Sequence, residues 1–200
     1  MFGIYISHPQ VQIDPQVPVP EWNLSPRGRE RVLAATACPW VRELQRIVSS
    51  PERKAIETAE ILARTAGVEI EIAHSSHEID RSATGYLTHD AHEEAADHFF
   101  ANPADSFRGW EKAINAQARI VTAVSEVIWE HDPAHPMAFV GHGGVGTLLK
   151  CSLSGQSIAR NHDQPSGGGN LFCFSLARNL AECRLKCEWT PMEFWQGETR

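Results

Sequence analysis

Apolar and polar positions along this chain change period in blocks. FGIYI (2–6) is a continuous apolar run, the pattern of a buried strand. Ser25 followed by Pro26 is a helix start signal, an N-cap with proline at the first helical position, and predicts a helix over 25–37. RIVS (46–49) predicts a second strand. Ser50-Pro51-Glu52 repeats the start signal, and Ala55, Ala59, Leu62 and Ala66 then fall on one helix face until Gly67 ends it. EIEIA (69–73) alternates with period two and predicts a third strand. Residues 88–100 and 110–131 predict two helices, MAFVG (137–141) a fourth strand, and Gly144 to Leu153 a helix directly after it. LFCFSL (171–176) and ECRLKCEW (182–189) predict two late strands.

Strands alternating with helices imply an α/β fold with a mostly parallel central sheet and helices on both faces, a three-layer sandwich. No repeat or dividing linker is visible, so residues 1–200 are expected to form one domain. The proline-rich stretch 15–23 and PSGGG (165–169) are loops. Ligands of such sheets bind beyond the carboxyl ends of the strands. Ser7 and His8 follow the first strand here, and Ser49, Ser50, Arg53 and Lys54 the second. His77, Glu78 and Arg81 follow the third, and Gly141, His142, Gly143 and Gly144 the fourth. Titratable residues and glycines thus collect at one sheet edge, which is the candidate site.

Composition narrows the function classes. The formal charge of −7 carries no basic excess and argues against nucleic acid as the main partner. The chain has no apolar run near the length of a membrane span and no signal-peptide pattern at its start. Its five cysteines are odd in number and lack metal-ligand spacing, which suits small core residues in a reducing compartment, and cytoplasm is the expectation. The ten histidines come without a matching third and fourth ligand, so neither metal nor cofactor is expected. Basic clusters at Arg27, Arg29 and Arg31, and at Arg53 and Lys54, still allow a small anionic ligand.

GHGG (141–144), between a strand and a helix, is the most informative local stretch. Glycines such as Gly143 admit a ligand close to the backbone, and a helix N-terminus favours an anion. The competing reading is a tight strand-to-helix turn holding an incidental histidine.

RIVSSPERKAIETAEIL resembles the SSPxxRAxxTA stretch of the histidine phosphatase superfamily, the phosphoglycerate mutase-like fold. WNLSPRGRERV is similar to its LTxxGxxQA stretch, and FVGHGGVGTLL to its second-histidine stretch, HGGxxxxLL. YISHP lies where that family carries Arg-His-Gly, and NLFCFSL resembles its late asparagine-started strand. The resemblance implies that His8 is a nucleophile transiently phosphorylated, that His142 hydrogen-bonds the phosphoryl group, and that Glu78 protonates the leaving oxygen. It also implies phosphate ligands at the positions of Ser7, Asp14 and Lys54, beside Gly143 from the helix start.

The sequence departs from the family at those ligands. Ser7 stands for an arginine, Pro9 for a glycine, Asp14 for an asparagine and Lys54 for an arginine, with Arg53 one place earlier. A guanidinium grips phosphate bidentately, whereas lysine is a point charge, serine is neutral and aspartate repels. Arg53, or one of Arg27, Arg29 and Arg31, is a candidate substitute, although in a helix Arg53 points about 100° away from Lys54. Two functions follow: a divergent phosphomonoester hydrolase working through a phosphohistidine at His8, or a catalytically weak or inactive member that binds an anionic small molecule or a protein partner. Arg81 and Arg108 are the only cationic anchors in the region 80–110, too few for a mutase.

Overall fold

The computed structural model describes residues 1–197. Six strands form one sheet: β1 (Phe2–Ser7), β2 (Arg46–Ser49), β3 (Ile70–Ile72), β4 (Met137–Gly141), β5 (Asn170–Ser175) and β6 (Arg184–Pro191). Their order is β3-β2-β4-β1-β5-β6. β3, β2, β4 and β1 pair in parallel, while β5 is antiparallel to both β1 and β6. Only β5 therefore runs against the rest, and the sheet is mostly parallel.

The helices are α1 (Pro26–Ala35), α2 (Pro39–Glu43), α3 (Arg53–Ala66), α4 (His89–Ala101), α5 (Ala113–Trp129) and α6 (Gly143–Ser154). Strand alternation splits the core between the two faces. Ile4 and Ile6 of β1, with Ala138 and Val140 of β4, pack into the α1–α3 layer. Tyr5, Met137 and Phe139 point the other way into the α4–α6 layer. Tyr5 stacks on Phe172 of β5 with ring centroids 5.4 Å apart. Burying each such side chain contributes roughly 1.5–3 kcal/mol.

Ser25 caps α1 as its sequence signal implies, accepting the Gly28 N–H at 3.1 Å. The matching signal at Ser50 is diverted. α3 starts at Arg53 instead of Pro51, with Glu52 in the cap position, and the Ser50 hydroxyl meets His142 Nε2 at 2.7 Å while accepting the Glu52 N–H at 3.3 Å. Gly67 closes α3 in the left-handed region at φ 74. The short α2, begun by Pro39, has too few residues to show periodicity and was not expected.

Candidate active site

The ends of β1, β2 and β4 lie side by side, with Ser7 in register with Gly141 and Ser49 with Val140. The chain leaves each strand there and delivers His8, Ser50 and His142 to one place. The His8 backbone is clamped from both sides. Its N–H donates to Gly141 O at 2.9 Å, and its carbonyl accepts the Gly169 N–H at 3.0 Å. The 165–169 loop reaches His8 because Gly167, Gly168 and Gly169 all have positive φ.

The His8 and His142 rings meet edge to face with centroids 5.2 Å apart. His8 Nδ1 lies 2.8 Å from Pro9 O. A carbonyl only accepts, so Nδ1 carries the hydrogen and Nε2 keeps its lone pair. Burial, with Lys54 adding, lowers the His8 pKa to about 4, so the ring is neutral near pH 7. His142 is fully buried, and its pKa too is pushed well down by burial. Its Nε2 lies 2.7 Å from Ser50 Oγ, its backbone N–H donates to the Tyr5 hydroxyl at 3.1 Å, and its Nδ1 has no partner among the described residues.

Glu78 occupies the N-terminus of α6. Its carboxyl oxygens accept N–H groups of Gly144 at 3.2 Å, Val145 at 3.0 Å and Ile79 at 3.0 Å. The helix end thus already holds a carboxyl group from the protein itself. Burial raises the Glu78 pKa, the backbone bonds oppose that, and the nearby Glu52 charge adds to it. Arg119 of α5 fixes the loop before Glu78. It donates to the carbonyls of Ser75 at 2.9 Å, His77 at 2.8 Å and Glu78 at 3.2 Å, and pairs with Glu111 at 2.7 Å.

Two lobes of about 620 and 670 Å³ share His8, Glu78 and Arg81 in their walls. The first also has Glu52, Lys54 and an apolar side of Pro18, Val19, Pro20, Trp22 and Ile79. The second has Gly143, Gln164, His92 and Arg160. Lys54 is buried, donates to Val19 O at 2.8 Å and forms an ion pair with Glu52. Burial lowers the Lys54 pKa while Glu52 supports its charge.

The structure brings His8, His142, Glu78, Lys54 and Gly143 together. It places three other candidates elsewhere. Ser7 is buried beneath the site, donating to Gln164 Oε1 and to Asn170 O at 3.2 Å, and lines neither lobe. Asp14 is exposed and turns its carboxylate onto the Gln16 N–H at 2.9 Å. Arg53 points outward to Asn23 at 3.2 Å and Glu57 at 3.6 Å. The α1 arginines are also committed: Arg27 to Glu30, Arg29 to Glu57, and Arg31 to Glu193 and the Gly168 carbonyl.

Glu52 and Gln164 are wall residues that sequence reasoning did not assign to the site, and Arg81 was set at the sheet edge without a role. Glu52 reads as an ordinary helix-start acid, and Arg81 and Gln164 sit in loops without a motif. Only the run of polar residues past each strand pointed toward Arg81. Among the described residues, no group of three or more His, Cys, Asp or Glu is placed to hold a metal ion, and no helix is long and apolar enough to cross a membrane.

The chain matches the family model of the histidine phosphatase superfamily (branch 1) over residues 10–182. It belongs to that superfamily. The match begins two residues past His8, where Ser7 and Pro9 depart from the family signature. No curated protein matches the sequence at a significant level. Among solved structures, mycobacterial glucosyl-3-phosphoglycerate phosphatase with inorganic phosphate is similar at TM-score 0.77 and 20% identity, covering 97% of this chain and 99% of that one. YhfR of Bacillus stearothermophilus is similar at 0.77 and 19%, covering 93% and 94%. A putative alpha-ribazole-5'-P phosphatase from Escherichia coli is similar at 0.71 and 16%, covering 96% and 97%. At these identities the likeness speaks to the shared phosphoglycerate mutase-like fold.

Proposed function

We propose that this member of the superfamily is a phosphomonoester hydrolase that works through a phosphohistidine at His8. The observation that carries the reading is the His8 Nδ1–Pro9 O contact of 2.8 Å, which leaves a bare Nε2 at the cavity wall. In the first step Nε2 attacks phosphorus and the bond to the leaving alcohol breaks. Glu78, whose pKa burial raises, gives a proton to the departing oxygen. The phosphorylated ring keeps its Nδ1 hydrogen on Pro9 O. In the second step Glu78, now a carboxylate, takes a proton from water as the water oxygen attacks phosphorus. Phosphate leaves, and His8 returns to its neutral form. The Gly143 N–H holds a phosphoryl oxygen, and His142, buried against the His8 ring, backs the nucleophile and offers an Nδ1 without a partner among the described residues. The leaving alcohol rests against Val19, Pro20, Trp22 and Ile79. The substrate is thus a small phosphorylated molecule with an apolar portion next to the ester.

The Lys54–Glu52 pair supports a second reading, in which the fold persists as a binding module for an anionic small molecule or a protein partner. A broad phosphatase substrate screen on wild type beside His8→Ala separates the two. Turnover lost in His8→Ala supports the hydrolase. Turnover undiminished in that variant rejects it, and no turnover in either protein favours the binding module.

A further inference from the structure

The cavity holds a carboxylate in the place where a phosphoryl group needs positive charge. Glu52 is 7% exposed and lines the same lobe as His8. One of its oxygens pairs with Lys54; the other accepts the Glu78 N–H at 2.8 Å and lies 3.6 Å from His142 Nε2. Burial opposes the Glu52 charge, but the cationic and N–H partners around it prevail, and the carboxylate stays ionised. Within this lobe Lys54 and Glu52 therefore cancel. Both histidines are neutral. Arg81, 6.0 Å over the Trp110 ring, makes no ion pair among the described residues, and Glu78 and Asp80 stand with it in the same wall.

The remaining donors are neutral. Gln164 Oε1 receives both the Ser7 hydroxyl and Asn170 Nδ2, so its NH₂ group faces away from them, toward Gly143, where a Cβ would meet Nε2 at 2.0 Å. That amide donates no hydrogen bond among the described residues and belongs to the cavity wall. A ligand here meets Arg81 and neutral N–H groups, with the acids Glu52, Glu78 and Asp80 in the same wall and Lys54 tied to Glu52.

We infer that Glu52 is a specificity-determining residue that tunes this site to phosphoryl groups bearing a single negative charge, such as a phosphodiester or a monoprotonated monoester. The inference rests on reading the cavity as a phosphoryl site. A dianion must approach Glu52 and lacks a second cation to offset the repulsion, because Lys54 is already held. A monoanion meets less of that repulsion and is held by Arg81 and the neutral donors.

The test is calorimetric titration of wild type and Glu52→Gln with dimethyl phosphate, always a monoanion, and with inorganic phosphate at about pH 8, mostly a dianion. Wild type is expected to bind dimethyl phosphate at least as tightly as phosphate. Glu52→Gln keeps the acceptor for the Glu78 N–H and frees Lys54, so its phosphate affinity should rise about tenfold while dimethyl phosphate stays within about threefold. The double variant Glu52→Gln/Lys54→Gln removes one charge of each sign and should return to the wild-type preference. Phosphate bound tenfold more tightly than dimethyl phosphate by wild type overturns the inference without any variant. So does equal tightening of both anions in Glu52→Gln. Turnover of bis(4-nitrophenyl) phosphate against 4-nitrophenyl phosphate at about pH 5, where much of the monoester is a monoanion, tells the diester from the monoester. Phosphoester turnover dependent on His8, with no charge preference shifted by Glu52→Gln, sinks this inference and leaves the hydrolase standing. If neither anion binds either protein, both fall.

Discussion

His8 and His142 come from strands adjacent in the sheet but 134 residues apart in sequence, and their rings meet with centroids 5.2 Å apart. The contact is imposed by the parallel pairing of β1 with β4, which sets Ser7 against Gly141 and so carries the two following histidines forward together. It sets the His8 ring edge to face against a second, fully buried imidazole.

A phosphohistidine at His8 is the first expectation. Brief incubation with a labelled aryl phosphate should give an adduct that is labile in acid and stable in base. His8→Ala should lose the adduct and at least 10³-fold in kcat, the order expected when an enzyme loses its nucleophile. Label mapped to Ser50, whose hydroxyl also lies at this edge 2.7 Å from His142, rejects the assignment.

The pH profile follows from burial. An unperturbed histidine titrates at 6.5, but His8 is held at about 4, so the acid limb of kcat/KM should lie near 4. The alkaline limb reports the loss of the Glu78 proton and should lie above the ordinary carboxylate range. Glu78→Gln should erase that limb and slow leaving groups of high pKa far more than nitrophenolate. Stability has its own signs. The unfolded His8 takes up a proton below 6.5 and the folded one only below about 4, so stability falls as pH drops through that window. Glu52, normally near 4.5, is held at about 2, so its contribution is full above 4.5 and is lost between 4.5 and 2. Thermal unfolding in Glu52→Gln should show a shallower decline across the lower window.

Restoring the family arginine at residue 7 should fail. Ser7 is 1% exposed, its hydroxyl bonded to Gln164, Asn170 O at 3.2 Å and Asn170 N at 3.1 Å. An arginine there buries a guanidinium without a carboxylate and breaks the tie between β1 and the 165–169 loop. The cost is at least ~3 kcal/mol, a fall of roughly 6–12 °C in Tm for a chain of this size. Differential scanning calorimetry on Ser7→Arg checks it; a variant as stable as wild type with tighter phosphate binding contradicts this placement.

Asp14→Asn and Arg53→Gln should leave phosphate affinity within about twofold of wild type and stability within ~0.5 kcal/mol. Both side chains point away from the cavity, to Gln16 and to Asn23 with Glu57. A tenfold change in affinity for either variant means that the loop rearranges around the ligand.

The strand-end rule made much of this site legible, because His8 and His142 each directly follow a strand whose apolar pattern is unmistakable, while Glu78 lies six residues past the end of β3. The alternating α/β order and the mostly parallel sheet were readable for the same reason. Motif spacing failed at Asp14 and Arg53, since a proline-rich loop and a helix face decide where those side chains turn. Glu52 was invisible: an acid at a helix start has an ordinary local explanation, and only the fold shows it facing Lys54 and His142. Gln164 was hidden in a loop, where partners come from tertiary contacts alone. The helix start at Ser50 was misplaced by two residues, and the contact of its hydroxyl with a distant histidine leaves no trace in the local sequence.

The last expectation concerns how the nucleophile is held. Gly168 has φ +62, and a Cβ there would sit 2.3 Å from the His8 carbonyl oxygen, a backbone atom that cannot swing aside. Gly67, at the end of α3, has a similar φ of +74 but nothing within 4 Å of the added carbon. The two sites therefore share the conformational cost of alanine, about 1–2 kcal/mol, and differ in the clash. Gly67→Ala should lose only that amount of stability and keep its activity. Gly168→Ala must push the loop off His8, weakening the Gly169 N–H bond of 3.0 Å to the His8 carbonyl and the Arg31 bond of 2.9 Å to the Gly168 carbonyl. Its stability loss should exceed that of Gly67→Ala by at least ~1 kcal/mol. Its kcat should fall by about 10²-fold, because a displacement near 1 Å of the attacking nitrogen spoils alignment. Paired urea titrations and steady-state kinetics decide it. Equal losses of stability, with kcat unchanged in both variants, would mean that the glycine loop does not position His8.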